Sequence, residues 1–285
     1  MILVTGAKGM LGSYVGRVFA DKELCLAGRD VFDVCHFEQG ADLCNQIHPQ
    51  LVIHLAAETN VDYCEQDPDH AYRSNVIGTQ NVARLCATHG AELVYVSTTG
   101  IFDGDKPEPY TEFDEPHPIN VYGKTKWEGE KIVRQLCPHA YILRAGWVFG
   151  GGPATDKKFV GKIIQLCREN DEIKVVNDKI GSPTSAEDFV RNTRHVAESG
   201  FYGTYHLTSR GSCTRYDIAC EVVKILGLKT RVTPVSSAIF PMPALRPRND
   251  AARNYHLELL GLDRMRSWQE SLADYLEDWS KGSEG

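Results

Sequence analysis

Short apolar runs alternate along the first half of the chain with longer stretches in which apolar residues recur every three or four positions. Residues 2–5, Ile2-Leu3-Val4-Thr5, read as a buried strand, and residues 10–20 follow with helical spacing. A second strand covers 23–27, a third apolar run 50–57, and a long helical pattern 69–89. Residues 92–97 read as a strand, 122–136 as a helix and 141–144 as a further strand. Such alternation predicts right-handed crossovers and a doubly wound parallel sheet. Residues 102–120 are rich in Asp, Glu and Pro and read as a long loop. From Phe149 the pattern loosens: 174–177 and 205–207 read as strands, and 186–198, 215–226 and 263–279 as helices, the last amphipathic. Residues 281–285 are expected to fray.

Composition narrows the function classes. A chain of 285 residues is long enough for a full sheet and a second, smaller lobe. Its formal charge of −7 argues against a general affinity for nucleic acid or an anionic membrane. The nine cysteines are scattered, with no CxxC pair and no Cys/His metal-ligand spacing, so no metal site is expected. Their odd count fits a reducing, cytoplasmic setting. Met1 leads straight into the first strand, so no signal peptide is expected, and no apolar run approaches the length of a bilayer span.

The strongest local signal is Thr5-Gly6-Ala7-Lys8-Gly9-Met10-Leu11-Gly12, a GxxGxxG turn between the first strand and the first helix. Gly6 permits a tight turn, Gly9 lets the backbone approach a pyrophosphate, and Gly12 allows close packing of helix on strand. Free N–H groups and the helix dipole then favour the anion, which points to a dinucleotide. The second strand should end near the adenosine ribose, at Gly28-Arg29-Asp30. Arg29 favours the 2′-phosphate of NADP, while Asp30 keeps NAD as the alternative.

Acid–base chemistry is suggested further on. Tyr122 and Lys126 in Tyr122-Gly123-Lys124-Thr125-Lys126 share a helix face at i,i+4 spacing. An ammonium beside a phenol favours the phenolate, which would lower the Tyr122 pKa. Ser97 and Thr98 end the strand of residues 92–97, at the carboxyl edge where open parallel sheets bind ligands. A hydroxyl there can polarise a substrate carbonyl.

Together these elements resemble the extended short-chain dehydrogenase/reductase superfamily, and within it the dTDP-4-dehydrorhamnose reductases. The resemblance runs over nearly the whole chain. It also rests on His54-Leu55-Ala56-Ala57-Glu58-Thr59-Asn60-Val61-Asp62, Ile101-Phe102-Asp103-Gly104, Leu143-Arg144-Ala145-Gly146-Trp147-Val148-Phe149-Gly150, Asp178-Lys179-Ile180-Gly181-Ser182-Pro183-Thr184 and Arg246-Pro247. It implies an α/β fold: a Rossmann-type doubly wound sheet in residues 1–150, to which 174–200 return, with 151–173 and 201–285 forming mainly a C-terminal substrate domain. It implies Thr98, Tyr122 and Lys126 as the catalytic triad, the last two also touching NADPH. Gly9, Met10 and Leu11 would line the cofactor diphosphate together with Gly6 and Gly12, Asp33 and Val34 would flank the adenine, and Ala56, Ala57 and Thr59 would follow the cofactor backbone. Val61, Thr98, Thr99 and Trp147 would meet a nucleotide-linked sugar.

The chain departs from that family's usual Ser-Thr-Asp-Tyr-Val-Phe, which here reads Ser97-Thr98-Thr99-Gly100-Ile101-Phe102, and its usual His after the double alanine is Glu58. The Tyr-to-Gly100 change predicts an altered preference for the sugar. The expected activity is NADPH-dependent reduction of the 4-keto group of a nucleotide-linked 6-deoxysugar. The alternatives are a non-catalytic NADP-binding regulatory subunit, similar to the beta subunit of methionine adenosyltransferase, and an epimerase or dehydratase of the same superfamily. A homodimer is compatible with the sequence, which does not fix the oligomeric state.

Overall fold

The computed structural model describes residues 1–282, so the fraying expected at 281–285 falls, for 283–285, outside the described residues. Twelve strands are described: β1 (Ile2–Thr5), β2 (Leu24–Ala27), β3 (Leu51–His54), β4 (Glu92–Thr98), β5 (Ala140–Ala145), β6 (Val148–Phe149), β7 (Glu172–Val176), β8 (Ile180–Gly181), β9 (Thr184–Ser185), β10 (Gly203–His206), β11 (Cys213–Thr214) and β12 (Arg231–Val235). Six of them form the central sheet in the order β10-β5-β4-β3-β1-β2. Every pairing in it is parallel.

The helices follow as α1 (Gly12–Val18), α2 (Phe37–Ile47), α3 (Val61–Gln66), α4 (Pro68–Tyr72), α5 (Gly78–His89), α6 (Val121–Leu136), α7 (Gly152–Thr155), α8 (Phe159–Glu169), α9 (Ala186–Ala197), α10 (Arg215–Ile225), α11 (Tyr255–Leu259) and α12 (Trp268–Gly282). Strand residues alternate between two cores, because side chains alternate across a sheet. Leu3, Val52, Leu93 and Ile142 pack with Val82, Leu85 and Val133 on one face. Ile2, Val4, Ile53 and Leu143 pack with Val15, Phe189 and Val190 on the other. A third core, including Ile163, Ile164, Val175, Ile218, Val222, Leu272 and Leu276, joins α8, α10 and α12 to β7.

Three readings need correction. The single helix read at 69–89 is broken: the Asp67 side chain accepts from the His70 N–H at 3.0 Å and caps α4, Pro68 occupies its first turn, and a π-helical turn, Arg73–Ile77, precedes α5. That turn brings buried Asn75 to the Glu58 carbonyl and the Thr125 hydroxyl, each at 3.0 Å. Residues 174–200 divide between the two parts of the chain. Strand β7 pairs with β12 outside the central sheet, while α9 packs on α1 and β5. Strand β10, from the stretch read as the substrate half, joins the sheet edge beside β5. No described helix is long and apolar enough to cross a membrane.

Candidate active site

The carboxyl ends of β1, β3, β4 and β5 open on one edge, and the sequence-read residues gather there. A cavity of about 250 Å³ is lined by Gly6, Lys8, Gly9, Gly28, Arg29, Phe32, Asp33, Val34, Cys35, Leu55, Ala56, Ala57 and Ser74. Gly6 has φ +67°, and a Cβ there would lie 2.6 Å from the Ala56 nitrogen. A Cβ on Gly12 would strike the Ala7 carbonyl, so α1 can pack on the turn only as glycine. Gly9 differs: a Cβ would meet only the Gly6 carbonyl, at 3.3 Å. A side chain at Gly9 would therefore press on one backbone oxygen alone, in the space where an anion would meet the turn. Met10 and Leu11 follow just outside the cavity wall, at the start of α1. These small walls and backbone donors fit a dinucleotide diphosphate.

Sequence reasoning missed Phe32, Cys35 and Ser74 in this wall, because none belongs to a spaced motif, and passed over Lys8 inside the glycine turn. Asp30, the residue that kept NAD open, is not in the wall; its carboxylate pairs with Lys8 at 2.8 Å. Exposed Arg29 lines the cavity and has no hydrogen-bonded or ion-paired partner among the described residues.

Thr98 ends β4 and is nearly buried, its Oγ1 accepting from the Gly100 N–H at 3.0 Å. Asn120 caps α6 by accepting from the Gly123 N–H at 2.8 Å, and its amide donates to the Leu245 carbonyl at 2.8 Å. Gly123 packs so tightly that a Cβ would strike the Gly100 carbonyl. This close approach sets Tyr122, second in α6, beside Thr98. A Cβ on Gly100 would lie 3.3 Å from Thr98 Oγ1 and 4.0 Å from Tyr122 Cε1, so position 100 looks on both groups.

The protonation chemistry differs from the sequence reading. Burial pushes the Tyr122 phenol up to about 12; the Thr98 hydroxyl, as a hydrogen-bond partner, pulls the other way, and Cys64 and Glu58 add to the rise. Burial pushes the Lys126 ammonium down to about 7, opposed by Glu130. Lys126 does not lower the phenol; its Nζ lies 4.2 Å from the centre of the Tyr95 ring, in cation–π contact. Tyr122 is therefore a protonated acid at neutral pH.

Glu130, completely buried, closes the base of the site: it accepts from Ser97 Oγ at 2.6 Å and from Arg144 at 2.9 and 2.8 Å. The other sequence-read positions are less uniform. Thr99 is fully buried and its hydroxyl, which has no hydrogen-bond partner, lies toward Gly146 rather than into the cleft. Val61 opens α3, next to Asp62, which pairs with Arg246 at 2.9 Å. Exposed Thr59 accepts from Lys158 Nζ at 3.2 Å, across the cleft between the two parts of the chain. Trp147 has φ +22°, and its indole N–H donates to Asp250 at 3.1 Å. Among the described residues, no group of three or more His, Cys, Asp and Glu could hold a metal ion.

Comparison with known proteins adds three findings. The family model described as the RmlD substrate binding domain matches residues 1–281. The dTDP-4-dehydrorhamnose reductase of Mycobacterium tuberculosis strain H37Rv is 35% identical over 283 residues, covering 96% of this chain and 92% of the relative. Two crystal structures are similar in fold and sequence. A dTDP-4-dehydrorhamnose reductase from Clostridium acetobutylicum superposes with a TM-score of 0.95 at 41% identity, covering 98% of this chain and 99% of the other. One from Bacillus anthracis, in complex with NADP, gives 0.92 at 35% identity, covering 97% and 98%.

Proposed function

Because the chain belongs to the RmlD substrate binding domain family, we propose that it is an NADPH-dependent reductase of the 4-keto group of dTDP-4-dehydrorhamnose or a closely related nucleotide-linked 6-deoxysugar. The observation that carries this reading is the juxtaposition of Thr98 with a protonated Tyr122 at the sheet edge that also holds the dinucleotide cavity.

Bound NADPH supplies the hydride. Gly6, Gly9, Met10, Leu11 and Gly12 hold its diphosphate, Arg29 meets the 2′-phosphate, Asp33 and Val34 flank the adenine, and Ala56, Ala57 and Thr59 follow the remainder. Thr98 donates a hydrogen bond to the substrate carbonyl and polarises it. Tyr122 gives its proton to the same oxygen as negative charge develops there, so no free alkoxide forms. Lys126 would hold the nicotinamide ribose. The cofactor half consists of residues 1–150 with α9 and β10, and the substrate half is built around the core joining α8, α10 and α12. The work is biosynthetic and cytoplasmic.

An epimerase or dehydratase would need a further acid–base group at the carbonyl; Thr99 is buried away from it and Gly100 has no side chain. The intact Thr98, Tyr122 and Lys126 set weighs against a purely regulatory role. Incubation with a panel of 4-keto nucleotide sugars, followed by loss of NADPH absorbance, tests the reading. Turnover of dTDP-4-dehydrorhamnose is expected, and the absence of turnover on every member would overturn it.

Cofactor preference should follow Arg29. Arg29→Ala is expected to raise the Kd for NADPH by roughly tenfold or more, since a charge-assisted contact is lost, while leaving NADH within about twofold. Equal effects on both cofactors would return Arg29 to the solvated surface.

Sugar preference should follow Gly100. Gly100→Tyr adds a ring at a position that looks on Thr98 and Tyr122, so it is expected to lower kcat/KM by roughly 10-fold or more for 4-keto sugars bulkier than dehydrorhamnose, with a smaller effect on dTDP-4-dehydrorhamnose itself. Parallel kinetics on both substrates check this, and an unchanged ratio would mean that position 100 is tolerant rather than selective.

A further inference from the structure

Arg215 opens α10 and is held between two aromatic rings: its guanidinium carbon lies 3.8 Å from the centre of the Trp147 ring and 4.6 Å from that of Phe159. Gly181 packs closely on the same indole, since a Cβ there would strike its Cε2 and Cζ2 atoms. Arg215 therefore takes a stacking face of Trp147 that a ligand would otherwise use. Asp250, the nearby carboxylate, takes the indole N–H at 3.1 Å and only attracts Arg215 through space. Arg215 makes no hydrogen bond or ion pair among the described residues, although burial pushes its pKa down to about 10. A guanidinium carries five N–H donors in its plane. With its faces covered, those donors can serve only a ligand approaching the edge.

Neighbouring charges locate that ligand. Lys158 precedes α8, feels the repulsion of Arg215 and the attraction of Glu58, and reaches Thr59 on the opposite side of the cleft. Glu58 in turn acts on Tyr122. Through-space neighbours thus link Tyr122, Glu58, Lys158 and Arg215 in series, with a proton donor at one end and two neighbouring cations at the other. A nucleotide sugar has the same order, with its keto sugar joined through a dianionic diphosphate to the nucleoside.

We propose that Arg215, clamped between Trp147 and Phe159, binds the diphosphate bridge of the nucleotide-sugar substrate, with Lys158 as the second cation. The inference rests on the nucleotide-sugar reading above and deepens it. A planar fork suits phosphate oxygens, and the ring clamp removes the rotamer freedom that an exposed arginine would lose on binding. Trp147 then serves the substrate through Arg215, by orienting it.

The test titrates the full-length protein with dTDP, with thymidine and with NADPH, for wild type, Arg215→Met and Arg215→Lys. Methionine keeps an apolar stem between the two rings, and lysine keeps the charge without the fork. The expected result is a dTDP Kd raised on the order of 10- to 100-fold in Arg215→Met, by an intermediate factor in Arg215→Lys, and unchanged NADPH affinity in both. Thymidine, which lacks phosphate, should bind all three alike. A dTDP Kd within about twofold of wild type in either folded variant would overturn the clamp, as would a wild-type protein that does not bind dTDP. The two readings separate cleanly. If wild type reduces dTDP-4-dehydrorhamnose while Arg215→Met binds dTDP normally, only the clamp fails; if dTDP binding depends on Arg215 but no 4-keto sugar is reduced, only the reductase reading fails.

Discussion

Tyr122→Phe is expected to lower kcat on the order of 10²–10⁴-fold, the usual contribution of a positioned general acid. The ring and its packing remain; only the O–H is removed. Thr98 keeps its hydrogen bond from the Gly100 N–H, and α6 keeps its Asn120 cap, so nothing that holds the fold is lost. The melting temperature should stay within about 4 °C of wild type, the scale of one hydrogen bond in a domain of this size. NADPH affinity should stay within about twofold, because the ring that meets the cofactor remains and only the O–H is removed. Steady-state kinetics with a titration of NADPH check both halves. A near wild-type kcat would remove Tyr122 as the proton donor. Burial raises the Tyr122 pKa, so the phenol carries at neutral pH the proton that reduction must deliver to the oxygen.

Gly9→Val should produce the second large effect, on binding rather than chemistry. A side chain at Gly9 meets only the Gly6 carbonyl, at 3.3 Å, so the variant should fold. Its branched methyls would stand where the diphosphate must approach the turn, displacing charge-assisted bonds to backbone N–H groups. Two such bonds lost correspond to a Kd for NADPH raised by at least roughly 100-fold. The neighbouring glycines give the contrast. Gly6→Ala and Gly12→Ala should destabilise the protein itself, since their Cβ atoms would collide with Ala56 and Ala7. Calorimetry and NADPH titration on the three variants separate these roles. A folded Gly9→Val with unchanged NADPH affinity would contradict the assignment of the turn.

Much of this was legible in the sequence because it is local. The glycine turn is contiguous with β1 and α1, so its spacing alone places it, and the strands β1, β3, β4 and β5 are near-continuous apolar runs of the buried, parallel kind. The triad was legible for a similar reason: Thr98 ends a strand, and Tyr122 begins a helix two residues after its Asn120 cap. What was not legible depends on contacts between distant segments. Lys126 shares a helix face with Tyr122, yet its ammonium rests on Tyr95, which belongs to β4. Trp147 was read as a sugar contact, but α10 brings Arg215 onto its ring and β8 brings Gly181 against its indole. Helices α2 and α8 were passed over, and so was β12, in which Pro234 interrupts the residues that pair with β7. Without β12, the lone strand at 174–177 had no visible partner and was assigned to the wrong neighbourhood for want of one.

The central claim is net hydride transfer to the C4 carbonyl of a dTDP-linked sugar, with the proton coming from Tyr122. The most direct measurement follows a labelled hydride. NADPH deuterated at the transferable position is incubated with dTDP-4-dehydrorhamnose and the protein, and the sugar nucleotide is recovered for mass and NMR analysis. The account predicts one deuterium at C4 of the product for each NADP⁺ formed, in wild type and far more slowly in Tyr122→Phe. A sugar epimerised or dehydrated without deuterium and without NADP⁺ accumulation would contradict it.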